Sequence, residues 1–226
     1  MIVYNELVAL TAGAALIGVA LFLKSLLQQQ KIDSEGWAAF FGVTGILLLA
    51  TGLHTTLTWP FGGGGFEYAN VAFGQPAAAF GALLSVAAIF LWRHRSLSGE
   101  GGQQVAFSAL KPVSIFVGAL GLGMAVLALS FVRYQLGAAP PTEPISGNFG
   151  HLPVLEALFL GFLWGVVALG CILFALGLWT DRPALVRWAG RAWLVGGILF
   201  LLFGALNYYT HLGMYYNEAH GTSIKW

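Results

Sequence analysis

The chain has 226 residues, a formal net charge of +1, 8% charged and 58% hydrophobic side chains, and a mean hydropathy of +0.79. So balanced a charge leaves no electrostatic footprint for nucleic acid, so no nucleic-acid partner is expected. No stretch outside the apolar runs is long enough to bury a core of its own, so residues 1–226 read as a single integral membrane domain in contact with a lipid bilayer.

Six runs come in order at about 6–26, 37–58, 73–93, 112–133, 153–178 and 189–213. Each is close to the ~20 residues that cross ~30 Å of hydrocarbon as a helix. They are continuous and far longer than the ~11 residues of a barrel strand, which excludes a β-barrel. The expected fold is therefore all-α, a six-helix transmembrane bundle. The opening Met1-Ile-Val-Tyr-Asn-Glu6 has no basic segment, so the first run reads as an uncleaved span rather than a signal peptide. Small residues recur within the runs, in Ala14-x-x-x-Gly18, Ala77-x-x-x-Gly81, the Gly118/Gly121/Gly123 cluster and Gly161-x-x-x-Gly165. Such spacing lets helix backbones approach closely. Cys171, the single cysteine, lies inside the fifth run and excludes an intrachain disulfide.

Basic residues are unevenly shared between the connections. Lys24 and Lys31 flank the first, Arg93, Arg95 and Lys111 the third, and Arg182, Arg187 and Arg191 the fifth. The second has none, and the fourth has only Arg133 at its start. The positive-inside rule then puts the odd connections in the cytoplasm and both termini outside, in a multi-pass protein of the cell (inner) membrane. His94, in Trp92-Arg-His-Arg95, reads as part of the cytoplasmic edge in contact with anionic lipid. The two outer connections, Trp59–Pro76 and Gly137–Pro153, mix Gly and Pro with aromatics and are expected to be ordered caps. Their similar endings, Asn70-Val-Ala-Phe-Gly-Gln-Pro76 and Asn148-Phe-Gly-His-Leu-Pro153, fit either an internal repeat or convergent helix-entry chemistry, with Pro where a helix begins. The Gly62–Gly65 run is no phosphate cradle, because no strand precedes it and no Lys-Ser/Thr follows. The tail Tyr215–Trp226 reads as a surface segment, with Trp226 anchoring it at the headgroups.

The stretch Gly52-Leu-His-Thr-Thr-Leu-Thr-Trp-Pro60, followed by Asn70-Val-Ala-Phe-Gly-Gln-Pro76 and a new apolar run, resembles an uncharacterised family of bacterial and archaeal polytopic membrane proteins, a domain of unknown function. The resemblance covers most of the chain and implies a fold type without implying a chemistry.

Ionisable side chains at membrane depth are costly and are therefore functional candidates. His54 lies five residues before Trp59, roughly 7 Å below the aromatic belt. His211 lies at similar depth, Glu156 is three residues past Pro153, and Glu6 is one turn into the first span. Asn207, His211, Met214 and Glu218 follow helical spacing and share one face of the sixth span. These residues suggest a polar pocket in the outer leaflet, walled by the second, fifth and sixth helices. Three chemistries fit it. His54 and His211, with His151, are candidate imidazole ligands for haem or copper, with Glu156 as a carboxylate ligand or in support. The same groups among aromatics suit a quinone or another amphipathic ligand. A proton relay is the third. Against them stands a plain reading in which the histidines are interfacial and Arg133 and Glu156, at facing helix ends, form a structural ion pair. No catalytic motif is present: there is no His-x-x-Glu-His, no His pair at i, i+4 and no Cys-x-x-Cys-His. Span middles nearly free of ionisable groups also disfavour a transporter. By elimination, the expected function is that of an accessory, non-catalytic subunit of a larger membrane complex, respiratory or oxidase-like, with other membrane subunits as partners. The alternative is a haem-, copper- or quinone-binding redox protein built on the outer-leaflet His/Glu cluster.

Overall fold

The computed structural model describes residues 4–59, 67–94, 97 and 99–226. The segments 60–66 and 95–96 lie outside it, and with them Arg95, the Gly62–Gly65 run and the centre of the first expected cap. Among the described residues the chain is helical throughout and has no strand. Six helices are long and apolar enough to cross a membrane, as expected of a multi-pass membrane protein in contact with lipid. They are α1 (Asn5–Leu27), α2 (Ser34–Thr58), α3 (Glu67–Arg93), α4 (Gly99–Tyr134), α5 (Pro153–Trp179) and α6 (Pro183–His220).

Local chemistry explains several boundaries. Asp33 caps α2 by accepting a hydrogen bond from the Gly36 N–H at 3.1 Å, and Asp181 turns the chain into α6 with a positive φ of 52°. Pro153 and Pro183 open α5 and α6, where the first N–H groups need no helical partner. Pro76 behaves otherwise. The sequence places it at a helix start, yet α3 begins at Glu67, and residues Asn70–Gly74 form a π-helical turn just before it. A proline inside a helix removes one hydrogen bond and clashes with the preceding turn, and a locally widened turn accommodates that loss. Asn148 and Phe149 instead lie in the 3-10 turn Ser146–Phe149, ahead of α5. The two similar phrases thus occupy different local structures. Two helices also exceed their expected spans: α4 begins at Gly99 and carries Pro112 in its interior, and α6 runs on to His220.

Packing is pairwise. The α1/α6, α2/α3 and α4/α5 pairs make the most extensive contacts, α5/α6 and α1/α2 join them, and α3 and α4 do not pack backbone to backbone. The helices therefore form a curved row in the order α3–α2–α1–α6–α5–α4. Side chains rather than close backbones bridge its two ends: Phe73 of α3 lies 6.3 Å from Phe131 of α4 and 6.1 Å from Trp164 of α5, ring centre to ring centre. The start of α1 and the end of α6 lie at one end of the bundle with the connection from α4 to α5; we call this the terminal end. Lys24, Lys31, Lys111, Arg182, Arg187 and Arg191 gather at the other, basic end. There Lys111 pairs with Asp181 at 3.6 Å and lies over the Trp179 ring.

The seams are made by glycines. A Cβ on Gly13 of α1 would lie 2.3 Å from the backbone nitrogen of Leu201 in α6, and one on Gly204 would lie 2.4 Å from that of Leu10. Gly52 and Gly81 do the same between α2 and α3, at 2.3 and 2.2 Å from backbone nitrogens. Of the small-residue motifs read from the sequence, Gly18, Gly81, Gly118, Gly121 and Gly161 are at tight contacts, while Gly123 has open space beside it. In lipid, helix association draws on such close van der Waals packing, because the hydrocarbon around it is as apolar as the helices. Gly13→Ala should therefore lower thermal stability in detergent by about 1–3 kcal/mol through overpacking, whereas Gly123→Ala, whose methyl meets open space, should leave the melting temperature unchanged or raise it slightly.

Candidate functional site

At the terminal end, the first turn of α1 stands between α2 and α6. On one side, the Tyr4 hydroxyl bonds His54 Nδ1 and lies 2.8 Å from Thr55 Oγ1. Tyr4 and His54 are also in tilted ring contact, with centroids 5.5 Å apart. On the other side, His211 Nδ1 donates to Glu6 Oε1 at 2.6 Å, in a pair that becomes a salt bridge when the imidazole is protonated. Glu6 is only 7% exposed, so this contact offsets the cost of holding a carboxylate away from water. The Asn5 amide lies 3.4 Å from the same His211 nitrogen. Tyr4, just ahead of α1, meets His54 of α2, and Glu6, within α1, meets His211 of α6; the start of α1 thus separates the histidines that the sequence reading brings into one pocket. His54 is exposed, and its other ring nitrogen lies 3.4 Å from Thr58 Oγ1. His151 is exposed at the start of α5. Among the described residues, no three His, Cys, Asp or Glu side chains are grouped as a metal site.

Glu156 is also placed differently from the expected ion pair with Arg133. Its Oε2 accepts a hydrogen bond from the Ala139 N–H at 2.7 Å, and Arg133 is exposed, with no ion pair to Glu156 among the described residues. The reason is the path of the chain. The turn after α4 brings the backbone of residues 137–139 over α5, and an N–H donor reaches the carboxylate there. Gly137, at φ 91°, makes the turn possible: a Cβ would lie 2.3 Å from Leu160 Cδ1. The Gly137 N–H in turn donates to the Tyr68 hydroxyl of α3 at 3.0 Å.

The connection from α4 to α5 is an ordered cap. Glu143, 4% exposed, accepts hydrogen bonds through Oε2 from the N–H groups of Ile145 and Gly147, at 2.9 and 3.1 Å. The chain's last residues fold back over this cap. Asn217, 1% exposed, is the hub: its Nδ2 donates to the Thr142 carbonyl at 2.8 Å and to the Ile224 carbonyl at 3.0 Å. Its Oδ1 accepts from the Thr222 hydroxyl and the Ile224 N–H, both at 2.9 Å. Lys225 Nζ donates to the carbonyls of Pro141 and Glu143, and the Trp226 N–H to that of Pro144. Trp226 packs edge-on against Tyr209. The tail, expected to be a surface segment, is largely exposed and also forms a strap over the cap. Asparagine's paired donor and acceptor suit it to join two backbone segments, but nothing in the local sequence marks Asn217 for that task.

Beneath the cap lies a cavity of about 650 Å³. Its lining on α1 extends from Asn5 to Leu26, about 30 Å at 1.5 Å per residue. Residues of α3, α4, α5 and α6 form the other walls, and α2 contributes Phe41 alone. Most of its length is aliphatic or aromatic, with Phe80, Leu120, Trp164, Val167 and Phe200 among the walls. Polar groups gather at the terminal end. Asn207, His211, Met214 and Glu218 all reach the cavity, as their shared helical face requires, and Glu156 and Tyr68 join them. His54 and His151 do not line it. Thr210 and Glu143 line it as well; sequence spacing alone gave them no prominence.

Asn217→Ala should remove the hub and leave cap carbonyls without donors. We expect a loss of about 1–3 kcal/mol of stability, with faster amide exchange over residues 137–147 and unchanged exchange within α2, as read by hydrogen-exchange mass spectrometry.

No curated protein and no solved structure matches the chain. With six apolar helices and a match that spans residues 1–214, the chain belongs to the family described as Protein of unknown function (DUF981).

Proposed function

We propose that the protein holds an amphipathic ligand with a long apolar tail, of quinone or lipid type, in this cavity. The observation that carries the reading is the cavity's polarity along its length. About 650 Å³ falls within the ~300–1,000 Å³ of small-molecule sites, which are mostly apolar with a few placed polar groups. Here the apolar walls follow α1 for most of a bilayer's thickness, and, apart from the indole N–H groups of Trp164 and Trp193, the polar side chains gather at the terminal end. An apolar tail along the first part and a head among Asn207, His211 and Glu156 match that division. The α3–α4 side, where backbones do not pack closely, is the natural route of entry from lipid.

We place the protein in the cell (inner) membrane with the terminal end outside, on the strength of the basic residues at the opposite end. A haem or copper centre using both histidines is less well supported, since Tyr4 and Glu6 engage them on opposite sides of α1. The accessory-subunit reading rested on a chain with little to act with alone, and the cavity weakens that premise. Exposed apolar side chains are spread over the helices, as lipid contact requires.

Purification in mild detergent followed by lipid mass spectrometry tests the reading. An amphiphile should accompany the wild-type protein at near one per chain and fall about tenfold in Val117→Trp, which fills the cavity from the α4 wall. Equal recovery from both proteins, or none from the wild type, would refute it. The orientation is tested separately. A cysteine at Asn148 should react with an impermeant maleimide in intact cells, and one at Arg182 only after lysis; Cys171 is buried and should stay silent.

A further inference from the structure

Resting on that reading, we infer that the ligand's head group is uncharged and carries hydroxyl or carbonyl oxygens, as in a quinone, a quinol or a long-chain alcohol, and that Asn207 is the residue that recognises it. Two independent observations lead there. The first is charge. Glu143, Glu156 and Glu218 line the cavity's terminal end, and no lysine or arginine lines it among the described residues. Lys225, the nearest strap cation, is taken up by the carbonyls of Pro141 and Glu143. The His211 imidazole, which also lines this end, is held by Glu6, so a phosphate or carboxylate head would meet carboxylates in a low-dielectric site with no free cation to offset them.

The second is unmet hydrogen-bonding capacity. Asn207 is 6% exposed and Thr210 3%, both line the cavity, and no hydrogen bond to either side chain is found among the described residues, while their polar atoms remain accessible from the cavity; Asn5 Oδ1 and the indole N–H groups of Trp164 and Trp193, which also line it, are buried without partners. Amides and hydroxyls in protein interiors are normally paired, so a partner for these two has to come from whatever occupies the cavity. They lie three residues apart, on neighbouring positions of one helix face. An amide supplies donors and an acceptor, and a hydroxyl supplies both, so together they suit a head that donates and accepts. The carboxylates each accept from the protein through a single oxygen: Glu143 Oε2 from two N–H groups, Glu156 Oε2 from Ala139 and Glu218 Oε1 from the Thr142 hydroxyl. The Asn207 N–H donors need an acceptor oxygen, which an ammonium lacks, and this favours an uncharged, oxygen-bearing head.

Full-length protein in phosphatidylcholine nanodiscs can be titrated with decyl-benzoquinone, decanol, decanoate and decyltrimethylammonium, using thermal unfolding and competition as readouts. Decyl-benzoquinone, decanol or both should bind at least about tenfold more tightly than either charged probe, and whichever binds better identifies the source of the head. Asn207→Leu, close in size, should weaken the neutral probes about tenfold and leave the charged ones unchanged; Thr210→Val serves if that variant does not fold. Decanoate or the ammonium binding as tightly as both neutral probes would overturn the inference while leaving the chamber intact, as would neutral binding indifferent to the substitution. If none of the probes binds the wild type, the chamber reading falls with it.

Discussion

The close approach of α1 to α6 is the contact on which the rest of the architecture depends. These are the first and last helices of the chain, and no short loop holds them together. Gly13 on one and Gly204 on the other let the backbones meet where any side chain would collide. In a bilayer there is little hydrophobic gain from joining two apolar helices, so surface fit has to supply the association. Once formed, the seam sets α1 in the middle of the helix row and its first turn between α2 and α6. Tyr4 then meets His54 and Glu6 meets His211. The same seam that closes the fold also divides the two histidines.

The cavity follows from the same row. Five neighbouring pairs pack closely, and the two ends of the row, α3 and α4, are joined by aromatic side chains. Phe73, Phe131 and Trp164 reach across at the terminal half, and Trp164 continues to Phe200 with centroids 5.4 Å apart. Large rings can span a gap that backbones leave, but they fill it incompletely. A long space between the helices results, apolar because the middles of the spans are apolar.

At the terminal end, polar chemistry has two distinct uses. One set of groups builds structure: Asn217, Glu143 and Lys225 tie the tail to the cap and satisfy backbone groups that would otherwise be orphaned near lipid. The other set, Asn207 and Thr210, lies below the cap with capacity unspent. Glu156 sits between the two, one oxygen on the cap's backbone and its side chain on the cavity wall. The strap and the cavity thus share a boundary at Glu143 and Glu218.

Much of this was legible in the residues. Long apolar runs with ionisable groups at their ends determine six membrane-spanning helices, because a chain in hydrocarbon must satisfy its backbone internally. Helical spacing alone put Asn207, His211, Met214 and Glu218 on one face, and that face does line the cavity. What spacing along one helix cannot encode is which helix lies across from it. Depth in the membrane grouped His54 with His211 and Arg133 with Glu156, but depth is one coordinate of three. The packing of α1 against α6 decided the first pairing, and the path of the backbone at residues 137–139 decided the second, by giving Glu156 an N–H donor in place of a cation. The helices themselves are local, set by composition and hydrogen bonding within each run. The pocket, the cap and the strap depend on contacts between residues as far apart as Glu6 and His211, and only tertiary packing brings those together.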